Sequence, residues 1–131
     1  MKNTFSQNIK IIPEHLDELN HVNNVVYLKF MEKVAIDHWY HVATEEERES
    51  VRWIARRHEI DYLRPAFLND ELTIETWVEK HDAISTERHY LISKNGQPVV
   101  KALTLWIALD PLSMKPKRLP TELMAKFDRL F

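Results

Sequence analysis

Asp17, His21, Asn23 and Asn24 fall in one polar stretch, His15-Leu16-Asp17-Glu18-Leu19-Asn20-His21-Val22-Asn23-Asn24, which ends where a helical apolar pattern begins. The first N–H groups of a helix have no intrahelical acceptor, and the peptide dipoles add partial positive charge there. Such an end suits a carbonyl oxygen that becomes anionic during a reaction. A carboxylate just upstream, Asp17, can attack the same carbonyl carbon or deprotonate a water that does so. A carboxylate beside an oxyanion donor is an acyl-transfer constellation. On residue type alone, capping accounts for these side chains better, because Asp and Asn ahead of a helix are ordinary capping residues.

The elements that must hold this stretch are legible from periodicity. Phe5 to Ile12 reads as a strand ended by Pro13. From Asn24 to about Thr44 the spacing is helical: Leu28, Met31, Ala35, His38/Trp39 and Val42 form one stripe, and Val26, Phe30 and Val34 a second. A helix with so wide an apolar surface is expected to be largely buried. Thr44-Glu45-Glu46-Glu47 matches a capping box, so residues 44–50 are expected to form a short helical turn with a solvated acidic face.

Val51 to Leu109 reads as strands, with Leu72, Ile74, Thr76 and Val78 alternating against Glu71, Thr73, Glu75 and Glu79. Turns are expected at Leu68-Asn69-Asp70, His81-Asp82 and Asn95-Gly96, the last holding the sole glycine. Consecutive strands joined by such short turns are expected to run antiparallel to one another. Pro120 opens a short helix with Leu123, Phe127 and Leu130 on one face. The class is α+β, one buried helix against one antiparallel sheet.

Composition narrows the function. The 131 residues suit a single domain spanning 1–131. A net charge of −2, from 18 Lys+Arg and 20 Asp+Glu, argues against nucleic acid as a partner. The absence of Cys removes disulfides, thiolate metal sites and a cysteine nucleophile. No window approaches about 18 consecutive apolar residues, so no membrane span is expected. The N-terminus carries no apolar signal-peptide core, and the expected localisation is cytoplasmic.

Asp17, His21-Val22-Asn23-Asn24 and Tyr27-Leu28, followed by Glu32, together resemble the signature of the hotdog-fold acyl-CoA thioesterases of the 4-hydroxybenzoyl-CoA thioesterase-like superfamily. The likeness is greatest to the long-chain acyl-CoA thioesterase branch. It continues through His58-Glu59-Ile60-Asp61-Tyr62-Leu63-Arg64-Pro65-Ala66, Asp70-Glu71-Leu72 and the segment from Trp106 to Pro120, nearly the whole chain. The resemblance implies a hotdog fold, an antiparallel sheet wrapped around the long helix, in a homodimer or homotetramer with two sites at each dimer interface. It implies an acyl-CoA substrate, with acyl-carrier protein as the other possible carrier, and neither cofactor nor metal. Carried over by position, Asp17 is the catalytic carboxylate and the backbone N–H of Asn24 polarises the thioester carbonyl. The family contains both an anhydride route and a general-base route, and the resemblance does not choose between them. Many members have Gly where this chain has Asn20, and Asn tolerates the left-handed conformation that Gly would supply. Two other hotdog functions stay open at this stage: a hydratase or dehydratase acting on the acyl chain, and a non-catalytic acyl-binding module.

Other residues carry weaker expectations. His21 is expected first to tether the Asp17 loop by a hydrogen bond, and otherwise to contact substrate or act as a second acid/base. Asn23 caps the helix or touches substrate, and Tyr27, one turn in, packs at a subunit interface or in the acyl pocket. Glu32 is expected first as an ion-pair partner and second as a rival to Asp17. His38 and His41, three apart on the helix, are expected to be partly buried or interfacial rather than metal ligands. His58, His81 and His89 share no sequence pattern. Lys115-Pro116-Lys117-Arg118, with Arg56, Arg57 and Arg64, is expected to be solvated unless it meets CoA phosphates.

Overall fold

The computed structural model describes residues 3–128. Local signals account for its elements. The long helix α1 (Asn24–Val42) starts where the Asn23 side chain accepts from the Val25 N–H, at 3.0 Å. It follows strand β1 (Phe5–Lys10) and a single 3-10 turn at Pro13–His15. Thr44 and Glu47 form the reciprocal capping box that opens the short helix α2 (Glu45–Ser50). Its acidic face is not wholly solvated, because Glu47 pairs with Lys126 and so ties α2 to the last helix, α3 (Thr121–Phe127). Leu123 and Phe127 of α3 are buried; Leu130 lies outside the described residues.

Between these helices run β2 (Arg52–Tyr62), β3 (Glu71–Lys80), β4 (Ser85–Lys94) and β5 (Gln97–Leu109). With β1 they form a five-stranded sheet in the order β1-β3-β4-β5-β2, every neighbouring pair antiparallel. At the β4–β5 turn Asn95 and Gly96 have φ of 49° and 79°, the twin left-handed conformations a two-residue hairpin requires.

β2 does not pair with β3; it pairs with β5 at the opposite edge of the sheet. The segment 63–70 therefore crosses three inter-strand gaps, roughly 14 Å, which eight residues span with ease. Along the way it donates Leu63 N–H to Val99 O and Asn69 N–H to Ile11 O, and it accepts Val22 N–H at Ala66 O. Paired this way, the crossing is built structure rather than a loose turn.

α1 lies on the concave face, its Phe30, Met31, Val34 and Ala35 packed with Leu72, Ile74, Tyr90, Ile92, Val99 and Val100. The Val, Leu, Ile, Phe and Met side chains among these contribute roughly 1.5–3 kcal/mol each by burial. The opposite row of α1 is not covered: Ile36 and Tyr40 are exposed, as is Ile54 on the β2 edge.

Candidate active site

The polar stretch before α1 folds as a miniature ribbon. Asp17 N–H donates to His21 O at 2.8 Å, Leu16 bridges Val22, and Asn23 N–H donates to His15 O at 2.9 Å. Asn20 turns the tip with φ of 62°, the left-handed conformation expected of it. Asp17 closes this turn: its Oδ1 accepts the N–H of Leu19 at 2.9 Å and of His21 at 3.2 Å. Its Oδ2 makes no bond among the described residues. The ribbon rests on the crossing segment through Val22 and through the His21 ring, edge-on to Phe67 at 5.2 Å. Asp70 steadies that segment by accepting Phe67 N–H and pairing with Lys94 at 2.7 Å. Burial raises the Asp70 pKa, but the bonds from Lys94 and Phe67 more than offset this and hold it below the usual carboxylate range.

At the helix start the N–H groups are not equivalent. Val25 is capped by the Asn23 side chain and Val26 donates to Asn23 O. Asn24 N–H meets no acceptor among the described residues, so the free donor of the first turn is the one the sequence singled out. About three residues of ribbon, roughly 10 Å, separate the Asp17–His21 pair from Asn24. That gap accommodates a carbonyl group with a water beside it.

An apolar cavity of about 570 Å³ opens between α1 and the sheet. Leu28, Met31, Ala35 and Trp39 line it from the helix, and Trp53, Ala55 and Trp106 from the strands. Glu32 sits exposed on its rim and, contrary to expectation, forms no ion pair among the described residues. Asn23 serves as the helix cap. Tyr27 is buried against Phe30 and Tyr62 rather than lining the cavity; burial first, then Asp70 and Tyr62, push its pKa up to about 12. Of the basic residues, Arg64 donates to Pro98 O, Lys117 to Ser50 O, and Arg57 pairs with Glu59.

Sequence reasoning missed two polar residues in this cavity. In register across the concave face lie Val78, Arg88, Thr104 and His58, from β3, β4, β5 and β2. His58 Nδ1 is 2.7 Å from Thr104 Oγ1, and Arg88 is buried beside α1. The signal was the period-two phase of β4, in which Arg88 falls with Thr86, Tyr90 and Ile92.

His38 is fully buried, stacked on Phe5 at 5.0 Å, and its Nδ1 lies 2.9 Å from Arg88 Nη1. A guanidinium only donates, so Nδ1 accepts and the imidazole is neutral. Burial, then the charges of Arg88 and His41, lower its pKa to about 3. Below about pH 6.5 the unfolded chain therefore binds a proton that the folded chain refuses, and stability falls as pH drops from about 6.5 towards 3. The slope from this group is roughly 1.4 kcal/mol per pH unit within that window. His38→Gln, which keeps an acceptor for Arg88 but cannot titrate, is expected to flatten the loss of unfolding free energy between pH 6.5 and 4.5 in urea melts. Equal losses in both proteins would assign the acid sensitivity to other groups.

His81 and His89, which share no pattern in sequence, converge on the outer face of the sheet because β3 and β4 pair there. His89 Nε2 lies 2.8 Å from Glu79 and 3.0 Å from Glu87 without an aligned hydrogen bond to either, and His81 Nδ1 is 3.6 Å from Glu87. Glu79, Glu87 and His89 are the group among the described residues with three ligand atoms close enough to hold a metal ion. They face away from the cavity, so an ion there would not reach a carbonyl at Asn24.

Comparison with known proteins gives the family and the fold. The family model of the thioesterase-like superfamily matches residues 12–127. The long-chain acyl-CoA thioesterase FadM of Escherichia coli K12 is 30% identical, over 93% of this chain and 96% of its own. Among solved structures, the probable thioesterase YbaW from Escherichia coli superposes with a TM-score of 0.84 at 27% identity, covering 95% of this chain and 98% of that one. A thioesterase from Thermus thermophilus, complexed with coenzyme A and Zn, gives 0.82 at 27% identity, covering 93% and 90%. A helix cradled by an antiparallel sheet, with a family match running almost end to end, leaves one assignment: the chain belongs to the thioesterase-like superfamily as a hotdog-fold enzyme.

Proposed function

We propose that the chain is an acyl-CoA thioesterase: water adds to the thioester carbonyl, the C–S bond breaks, and a free carboxylic acid and the CoA thiol leave. The observation that carries this is the unpaired Asn24 N–H at the head of α1, with the open oxygen of Asp17 in the same ribbon and an apolar cavity starting one turn in at Leu28. The carbonyl oxygen accepts from Asn24 and develops charge against the helix dipole. Asp17 Oδ2 takes the proton of the attacking water, and the roughly 10 Å ribbon gap leaves room for that water. His21 holds the loop through its ring. The substrate class follows FadM, named for long-chain acyl-CoA, and the apolar lining is suited to such a chain. Release of free thiol across a panel of acyl-CoA lengths tests the reading; no release at any length, with correctly folded protein, would overturn it.

The working unit is a homodimer. β2 is an edge strand with an open ladder and an exposed Ile54, and Ile36 and Tyr40 of α1 are exposed as well. Light scattering is expected to give a dimer or a multiple of it, with Ile54→Glu shifted towards monomer. A wild-type monomer with full turnover would refute the dimer. The proposed setting is cytoplasmic fatty-acid metabolism.

A further inference from the structure

Arg88 is an unusual wall for an acyl pocket. It is 5% exposed and lines the cavity from β4. Its Nη1 donates to His38 Nδ1 at 2.9 Å and to Thr76 Oγ1 at 3.1 Å, both neutral acceptors, and its Cζ lies 5.9 Å from the Phe127 ring. Among the described residues neither a hydrogen bond from Nε or Nη2 nor a carboxylate paired with the guanidinium is found; Glu32, the acid of the cavity lining, is exposed. Burial lowers its pKa only to about 10, so it is charged at neutral pH. Trp106, whose Nε1 is buried without a partner among the described residues, and Thr86, its register mate, line the same cavity. An otherwise apolar cavity thus holds a cationic guanidinium with no facing carboxylate among the described residues except the exposed Glu32.

We infer that Arg88, with Trp106, binds a carboxylate at the distal end of the acyl chain, so that the preferred substrates are CoA half-thioesters of dicarboxylic acids. A carboxylate accepts only, and it pairs with a guanidinium through two parallel bonds. A methyl-terminated chain would leave these donors unmet while excluding the water that could serve them. The inference rests on the thioesterase reading for the bond that is cleaved and adds the class of acyl group. Helical rise puts His38 about 21 Å from Asn24, and side chains on a helix lean towards its N-terminus, so the guanidinium lies somewhat nearer than that. That distance suits a long chain.

The test compares thiol release from the mono-CoA thioesters of dodecanedioic and hexadecanedioic acids with that from dodecanoyl-CoA and hexadecanoyl-CoA. The wild type is expected to favour the carboxylated member of at least one pair at least tenfold in kcat/KM, and Arg88→Met to bring that ratio to one or below. Equal rates in the wild type, or a preference that survives Arg88→Met, would overturn the inference. If Arg88→Met does not fold, Trp106→Phe replaces it, with the ratio expected to fall several-fold; an unchanged ratio counts against the inference. If no substrate is cleaved, the thioesterase reading fails separately, and calorimetry with uncleavable thioether analogues decides. Tenfold tighter binding of the ω-carboxyalkyl-CoA than of the alkyl-CoA supports the carboxylate site; equal binding overturns it.

Discussion

Asp17→Asn is expected to lower kcat by about a thousandfold, within the 10²–10⁴ range that general-base catalysis supplies, while the melting temperature stays near wild type. The fold is expected to survive because the turn needs only an acceptor. The amide oxygen of Asn can take the Leu19 and His21 N–H bonds that Asp17 Oδ1 now accepts. What the substitution removes is the basic second oxygen. Asp17→Ala is expected to lose both activity and the turn, so the pair of variants separates chemistry from scaffolding. Kinetics and thermal melts on the two proteins check this. Turnover near wild type in Asp17→Asn would move the catalytic carboxylate to Glu32, which lines the cavity with no ion-pair partner among the described residues, and Glu32→Gln would then be the inactive variant.

Asn24→Pro is expected to lower kcat by about 10²–10³, the usual effect of removing one oxyanion donor. Ordinarily a proline in a helix destroys it. At the first helical position it removes only an N–H that has no intrahelical partner and fixes a φ the helix already needs. The preceding residue must be extended, and Asn23 is, with φ of −65° and ψ of 136°. Helicity by circular dichroism is therefore expected to be retained while turnover collapses, with KM changing less than kcat. If the proline variant kept full activity, the oxyanion would have to be held by some donor other than this amide.

The candidate site divides into a part that was legible and a part that was not. Asp17, Asn20, Asn23 and Asn24 could be read because capping, left-handed turn residues and the onset of helical spacing are local signals. The Asn95-Gly96 hairpin and the Thr44–Glu47 box were readable for the same reason. The plain roles expected for side chains also emerged: Asn23 caps, and the Asp17 carboxylate does hold its own turn with one oxygen.

The strand order was not legible. The turn residues Leu68-Asn69-Asp70 say that the chain bends, but not that it has first crossed the sheet, and β2 ends at the far edge beside β5. That choice depends on which ladder a strand joins, a matter of long-range pairing that neighbouring residues do not encode. The cavity depended on the same choice. His58 enters it from β2, while Arg88 and Trp106 come from β4 and β5, so no spacing along the chain could have grouped them. The sequence alone determined the elements, their caps and turns, and the carboxylate and amide at the head of the helix, because each depends on contacts within a few residues. Only the tertiary structure decided that β2 closes one edge, that the crossing segment supports the Asp17 ribbon, and that a guanidinium with no carboxylate partner among the described residues lines the cavity, because strand pairing and burial bring together residues that are distant in the chain.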